Sequence, residues 1–237
     1  DLAWYDRIDT LPWAQNVPTP SDRLAVAEVA LRYSDARRSR GAVDDESGIL
    51  ASGAAAVRNA DGATVGQVVG TFDHGWALPL RHSSIWLRTV AGASSGEASD
   101  PVANFYFGGF GNNYVDRGPA KRYREPYALP GFGIDEVRAQ TFVRPMVEWN
   151  LPPLGFESVG VPGLHLGWLR PAVFASALWA DPGGTAARKD YSNVGAQVDL
   201  RISILHWNEM TLSAGYAVGF VGGHQAGTEW MISLRIL

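Results

Sequence analysis

The chain has 237 residues, enough for one large β domain or two small domains with a real core. Its formal net charge of −4 argues against nucleic acid as the main partner, because nucleic-acid binding requires a basic face. The sequence contains no cysteine, which excludes disulfides and thiolate metal sites. It also lacks a run of about 18 or more apolar residues, so no transmembrane helix is predicted.

The first 46 residues are predicted to be a periplasmic linker followed by a short helix. Residues 1–20 contain three prolines and no clean period, which favours a linker. Ser21 suits a helix N-cap, and the arginines before Gly41 suit its C-terminal end. A stripe of Leu24, Ala27, Leu31 and Ser34 favours the helix over a strand, although a strand also fits. The chain begins without methionine or a signal peptide, which suggests a processed chain or a fragment.

Alternation of apolar and polar residues begins at residue 48 and predicts β-strands, since successive side chains of a strand point to opposite faces. The clearest strand sets Val194, Val198 and Ile202 against Asp199 and Arg201. The eight predicted strands are 48–59, 63–78, 82–95, 136–151, 165–180, 191–206, 209–221 and 228–237.

The apolar faces of these strands are predicted to contact lipid. Ordinary soluble strands have about 5–6 residues, whereas these runs are longer and match the span of a tilted membrane strand. Their polar faces carry full charges, which a barrel interior accepts more readily than a dry core. These predicted lumen charges are Arg138, Arg144, Glu148, Asp199 and Arg201. Tryptophans near strand ends predict an interfacial girdle of Trp149, Trp179, Trp207 and Trp230.

The predicted fold is therefore all-β, an antiparallel transmembrane β-barrel of about eight strands over residues 47–237. An alternative is that two chains form a homodimer in which each supplies half of a sixteen-stranded barrel. A soluble β-sandwich or barrel with its apolar faces turned inward is a second alternative. The even strand number places both barrel ends on the periplasmic side and the long loop 96–135 outside. The many aromatic residues of that loop predict a folded cap or a plug inside the lumen.

No catalytic, metal-binding or cofactor-binding residue is predicted. The glycine-rich runs "YFGGFGNNY" and "PGFGIDE" are not followed by a helical pattern, so they are interpreted as turns rather than phosphate loops. The five histidines are scattered without metal-ligand spacing. The acidic run 44–46 is interpreted as a solvated turn, and no nucleophile-elbow motif occurs.

The order and spacing of strands over residues 48–237 resemble the Omp85 superfamily, the bacterial surface-antigen barrels that include outer-membrane protein insertases. The pattern of alternating strands also resembles the barrels at the end of envelope proteins with a TolB-like propeller. The similar features are a long outer loop, the turn "LPGF" at 129–132, Glu148 near a strand end, and the strand "PAVFASA" at 171–177.

The resemblance implies that the turn Leu129, Pro130, Gly131 and Phe132 reaches into the lumen. In the family an arginine of this turn pairs with an acid on a later strand. Pro130 and Ser176 stand at those two positions here, and Arg122 or Arg124 is expected to substitute for the family's arginine.

The predicted function is a non-catalytic anchor or scaffold in the bacterial outer membrane. It would contact membrane lipid and hold a protein partner or an N-terminal domain on the periplasmic side. The alternative is a component of the outer-membrane insertion and translocation machinery, as the resemblance implies. A third interpretation is an enzyme with its site at the barrel rim.

Overall fold

The structure is a computed structural model that describes residues 2–6, 23–110, 115–116, 120–156, 159–161, 163–182, 189–204 and 208–236. The described residues form an all-β fold without an α-helix, and none of their helical turns is long and apolar enough to cross a membrane. Two 3₁₀ turns occur, Pro101–Ala103 and Arg122–Arg124. The strands are β1 (Leu2–Asp6), β2 (Arg23–Ser34), β3 (Gly48–Ala60), β4 (Ala63–Ala77), β5 (Ser84–Ser94), β6 (Phe105–Phe107), β7 (Val115–Asp116), β8 (Val137–Ala139), β9 (Thr141–Asn150), β10 (Leu154–Gly155), β11 (Gly160–Val161), β12 (Leu164–Ala180), β13 (Lys189–Ile204), β14 (Asn208–Val221) and β15 (His224–Ile236).

One large sheet contains nearly all of these strands, in the order β1-β2-β3-β4-β5-β9-β12-β13-β14-β15-β7. Neighbouring strands are antiparallel except β15 and β7, which are parallel over two residues. The short strands β10 and β11 pair with β12, and β6 and β8 form a separate two-stranded antiparallel sheet. Each long strand from β2 to β15 pairs antiparallel with the next long strand along the chain, which is an up-and-down arrangement. This holds even for β5 and β9, which residues 95–140 separate.

Each of the eight expected strands coincides with a long strand of this sheet, namely β3, β4, β5, β9, β12, β13, β14 and β15. The expected strand 136–151 is interrupted at Gln140, where β8 leaves to pair with β6. The predicted N-terminal helix is wrong, because residues 23–34 form β2 and pair with β3 from Leu24↔Ala60 to Ser34↔Leu50. The described part of the chain therefore has nine long strands. The expected linker contains β1, and residues 7–22 lie outside the described part.

In this sheet the apolar face is exposed and the polar face is buried, which is the reverse of a soluble β-sandwich. The outer face is apolar and exposed; its side chains include Val29, Leu31, Val57, Val68, Phe72, Leu87, Val147, Val173, Val194, Val198, Tyr216, Trp230 and Ile232. The inner face is buried and rich in polar groups, including Gln67, Arg88, Arg144, Glu148, Arg170, Ser176, Asn193, Gln197, Asp199, Thr211, Ser213 and Ser233. Alternation along each strand produces this separation.

The described residues of the range 96–140 between β5 and β9, here called the inner segment, lie against the inner face. Strands across most of the sheet contact it, so the sheet wraps around the segment. The contacting side chains include Gln67 of β4, Phe142 of β9, Phe174 of β12, Gln197 of β13, Ser213 of β14 and Glu229 of β15.

The inner face is layered along the strands. We call the end with turns 61–62 and 222–223 end A, and the end with turns 35–47 and 78–83 end B. Near end A, Phe142 packs on Phe105 and Phe107 of the inner segment at ring distances of 5.0 and 4.7 Å. In the next layer Tyr123 stacks on Phe174 at 4.1 Å. The charged residues form the layer closest to end B.

The two edges of the sheet are not paired with each other among the described residues. β1 covers only Arg23–Ala27 of β2, and β7 covers only Leu234 and Arg235 of β15. β2 and β15 both run from end A to end B, because an even number of antiparallel steps separates them. These two strands therefore cannot close a barrel by direct antiparallel pairing. β1, which lies at the edge of the sheet beyond β2, runs from end B to end A, opposite to both strands.

Candidate functional site

Glu148 is the centre of a buried charge network on the inner face. It lies on β9, where alternation turns Phe142, Met146 and Glu148 inward, and its side chain is fully buried. Its carboxylate accepts hydrogen bonds from Arg88 of β5 at 2.8 Å and from the Arg124 Nε at 2.9 Å. Lys121 donates to it at 3.1 Å. We call the long strands of the large sheet the wall. One wall acid, Glu148, thus pairs with two cations of the inner segment.

Asp44 approaches the same cations from end B. It belongs to the loop between β2 and β3, and its Oδ2 lies 2.8 Å from Arg124, 3.2 Å from Arg170 and 3.6 Å from Lys121. Arg170 belongs to the wall strand β12, whereas the other two belong to the inner segment. A single carboxylate oxygen therefore joins a loop, the inner segment and the wall.

Two further wall acids complete the network. Asp199 of β13 accepts a hydrogen bond from Arg170 at 2.9 Å and from the Ser213 hydroxyl at 2.7 Å. Asp73 of β4 accepts one from Arg88. Four carboxylates therefore meet four basic side chains, so the formal charges of the ion-paired network of described residues balance. Balance is expected because burying an unpaired ion costs on the order of several kcal/mol.

The network changes the protonation equilibrium of Asp44. Burial by itself would raise the pKa of this carboxyl. The positive charges of Arg124, Arg170 and Lys121 outweigh burial and hold the pKa of Asp44 well below its usual range. Asp44 is therefore an anion at neutral pH, and the ion pairs persist well into acid.

A second attachment fixes the inner segment closer to end A. The carboxylate of Glu229 on β15 accepts hydrogen bonds from the amides of Gly131 at 3.0 Å and Phe110 at 3.1 Å. Asn193 of β13 donates to the carbonyl of Pro130 at 2.8 Å. The predicted turn 129–132 is thus pinned to two wall strands.

Gly131 sits in this turn because no larger residue fits there. Its φ is +96°, a conformation that favours glycine. A Cβ atom at this position would lie 2.4 Å from the backbone nitrogen of Gly219 on β14. Gly219 and Gly227 in turn leave room for the carbonyl of Gly131, so three glycines form the contact between turn and wall.

The structure brings only some of the predicted lumen charges together. Glu148 and Asp199 belong to the network, as described above. Arg144 is fully buried but donates to the backbone carbonyls of Tyr123 at 2.8 Å and Glu125 at 3.0 Å. Arg201 pairs with Glu209 near end B, and the exposed Arg138 lies on β8, apart from the network.

The residues singled out in the long loop all lie in the inner segment. Arg124 pairs with Glu148 and Asp44, whereas the buried Arg122 lies 3.7 Å from Glu125. Leu129 and Phe132 are buried in the apolar layer near end A.

The predicted tryptophan girdle is dispersed along the outer face. Trp149 lies near end B, is 38% exposed, and donates from its ring nitrogen to the Ser83 hydroxyl at 3.1 Å. Trp179 lies near end A and is half-buried. Trp230 is highly exposed in the middle of β15, and Trp207 lies outside the described residues.

Sequence reasoning missed five members of the network: Asp44, Asp73, Arg88, Lys121 and Arg170. Three of them lie on predicted strands, and their inward parity was the signal that could have revealed them. Asp44 was expected in a solvated turn, but its side chain is only 24% exposed and points to three cations. Asp44 and Lys121 lie in irregular segments, where no periodicity predicts direction.

A serine, a histidine and an acid converge at end B without forming a catalytic arrangement. The Ser39 hydroxyl and the Glu46 carboxylate lie 3.3 and 3.0 Å from the same ring nitrogen, Nδ1 of His82. A relay requires the serine and the acid on opposite ring nitrogens. The cluster instead joins the loop 35–47 to the turn 78–83. No group of metal ligands occurs within the described ranges.

Comparison of the chain with protein-family models, curated proteins and solved structures found no match.

Proposed function

We propose that this chain is a membrane-spanning β-barrel wall of the bacterial outer membrane, acting as a non-catalytic anchor or scaffold. The observation that carries the proposal is the polarity of the two faces. The outer face exposes apolar side chains such as Leu31 (75%), Phe72 (50%) and Val147 (51%) on many strands, while the inner face buries a charge network. Water would penalise that outer face, whereas hydrocarbon favours it.

An anchor rather than an open channel fits the filled interior. The inner segment places aromatic layers near end A and the Glu148 network near end B. These groups are paired with one another, so they leave the described lumen packed instead of presenting charges to a permeating solute. The arrangement supports a structural role for the barrel.

The partner is proposed to bind at end B, on the periplasmic side. β15 ends there and β1 begins there, so polypeptide joined to either strand emerges at that end. Membrane lipid would contact the outer face. A protein partner or an N-terminal domain at end B would then be held at the membrane surface.

The first experiment measures whether the protein requires detergent and whether its gel mobility changes on boiling. We expect it to aggregate without detergent and to migrate differently before and after boiling, because a closed membrane β-barrel resists detergent until heated. A protein that stays monodisperse without detergent would refute the lipid-facing assignment and the outer-membrane localisation together.

Membership of the Omp85-like insertion and translocation machinery is the second candidate function. Among the described residues, β1 and β7 pair with only short parts of β2 and β15, and this favours the second candidate, because a weak seam would let a barrel exchange strands with lipid. The inward docking of Pro130 and Gly131 agrees with what the resemblance implies.

Cross-linking across the seam separates the two candidates. Because the chain lacks cysteine, an Ala30→Cys/Ser233→Cys variant carries only the two introduced thiols, one on each edge strand. A sealed anchor should be cross-linked within one chain by a short bifunctional maleimide. A seam that opens should resist this reagent, and cross-links between two chains would support a shared barrel in a homodimer.

A further inference from the structure

The loop 35–47 reaches under the inner segment at end B. Asp44 is the only acid of the ion-paired network of described residues that comes from a loop; Asp73, Glu148 and Asp199 belong to wall strands. Its three cationic partners include both network cations of the inner segment, Lys121 and Arg124. Five of the eight network residues therefore lie on strands, and the other three, Asp44, Lys121 and Arg124, lie in segments outside the large sheet.

The loop itself has a defined shape. Arg37 and Ser47 form a backbone bridge, in which the Arg37 amide donates to the Ser47 carbonyl at 2.8 Å. The Trp86 ring nitrogen donates to the carbonyl of Asp45 at 3.2 Å, and Glu46 is joined to His82. These contacts place the neighbouring Asp44 side chain below the inner segment instead of in solvent.

The inner segment depends on polar contacts where it meets this loop. Its Ala120 carbonyl accepts hydrogen bonds from Gln197 at 2.8 Å and Ser213 at 3.4 Å. Among the described residues, Glu148 and Asp44 are the carboxylates that pair with Lys121 and Arg124, and Asn150 accepts further hydrogen bonds from both cations. Loss of Asp44 would leave four network cations facing three acids in a buried site, a state that favours departure of the cations into water.

We propose that the loop 35–47 is a latch that, through Asp44, holds residues 120–124 of the inner segment inside the barrel at end B. The latch closes when the Asp44 carboxylate meets Arg124 and Lys121, and it opens when the loop withdraws. The retention of the segment does not depend on the proposed function. The expected change in ion conductance does rest on that function, because an opened latch lets ions cross only if the protein is a membrane barrel.

Trypsin tests the latch directly, since Lys121, Arg122 and Arg124 are cleavage sites that are at least three-quarters buried in the folded protein. We expect Asp44→Asn to accelerate cleavage after these residues by about tenfold or more, because proteolysis follows the population of the opened state. Asp45→Asn is the matched control. Asp45 carries the same charge one residue away but pairs with Arg38 on the surface, so cleavage should not change.

A wall variant separates the latch from charge balance. Asp73→Asn removes an equal charge from the network without touching the inner segment, because Asp73 pairs with Arg88. We expect much less cleavage in Asp73→Asn than in Asp44→Asn. Equal cleavage in the two variants, or full protection of Asp44→Asn, would overturn the latch.

A cross-linked variant keeps the proposal testable if Asp44→Asn fails to fold. In Asp44→Cys/Arg124→Cys a reducible bis-maleimide can join the two thiols across the space that the arginine side chain fills, so residues 121–122 should be protected in the cross-linked protein and cleaved after reduction. Equal cleavage in both states would contradict the latch. In planar bilayers reduction should also raise the conductance. Protection in trypsin without any conductance change would support the latch and count against the membrane function.

Discussion

The side-chain amide of Asn193 donates a 2.8 Å hydrogen bond to the carbonyl of Pro130, while its side-chain oxygen accepts one from Ser176 at 2.7 Å. Pro130 and Ser176 stand where the resembled family has an arginine and an acid. In this chain a neutral side chain on β13 joins the two positions. The turn is therefore anchored at this point without burying an ion pair, and the charged attachment has its place nearer end B.

Replacing Asn193 by leucine is expected to loosen this anchor. The substitution leaves the Pro130 carbonyl and the Ser176 hydroxyl without their partner, which costs about 1–3 kcal/mol for a buried polar group. The denaturant midpoint of unfolding should fall accordingly. Asn59→Leu is the control, because Asn59 bonds only to Thr64 at an exposed hairpin. A similar loss in both variants would contradict the anchoring role.

Gly131→Ala tests the close approach of the turn to β14. The added methyl would meet the Gly219 backbone at 2.4 Å, so the turn must move away from the wall. Gly62→Ala is a matched control, because Gly62 has a similar φ of +93° but open space around its Cβ position. Alanine is destabilising at a positive φ in both variants, and the clash should make Gly131→Ala less stable by a further amount of about 1–3 kcal/mol. Equal free energies of unfolding would show that the contact is unimportant.

The sequence predicted the strands of residues 48–237 well because long alternating runs leave little ambiguity. It failed at β2, where two patterns coexist. Leu24, Ala27 and Leu31 are spaced as in a helix, but Val29, Leu31 and Tyr33 also recur at every second position, as on one face of a strand. Pairing with β3, a contact made along the whole strand, decides the matter. Local propensity in an alanine-rich window is too weak to do so.

The network was predictable only where it lies on strands. Inward parity identified Glu148 and Asp199 correctly as inner-face residues, and the same rule applies to Arg88. Asp44 and Lys121 come from segments without a period, and 77 positions separate them in the chain. Their meeting depends on how the inner segment packs against the large sheet, which is a property of the whole fold.

Glu148→Gln should be among the most damaging substitutions in the network. It leaves Arg88, Lys121 and Arg124 with one carboxylate fewer in a fully buried site, and removal of one partner from a buried pair costs about 3–5 kcal/mol. Urea unfolding in detergent measures the loss. Glu209→Gln removes a partly exposed partner of Arg201, and such pairs contribute about 0–1 kcal/mol. Equal effects would refute the central position of Glu148.

The low pKa of Asp44 predicts acid sensitivity. The unfolded chain binds a proton on Asp44 as pH falls through its ordinary value near 4, whereas the folded protein does not. Protonation therefore favours unfolding, so the stabilisation is complete at neutral pH and is lost progressively below about pH 5. The slope of unfolding free energy against pH should be shallower in Asp44→Asn between pH 5 and 3. Asp45→Asn should retain the wild-type slope, and identical slopes in all three proteins would refute the assignment.

Arginine at Val194 tests what the outer face contacts. Val194 is 49% exposed on β13 and lies in a cross-strand row with Val147, Ala175 and Val218. If this row faces hydrocarbon, Val194→Arg should make folding into lipid vesicles less favourable by about 2–4 kcal/mol. Leu80→Arg is the control, because Leu80 is 54% exposed in the turn at end B and should tolerate the charge. An exposed face in water would accept both changes within about 0.5 kcal/mol, and that result would exclude a lipid-facing barrel.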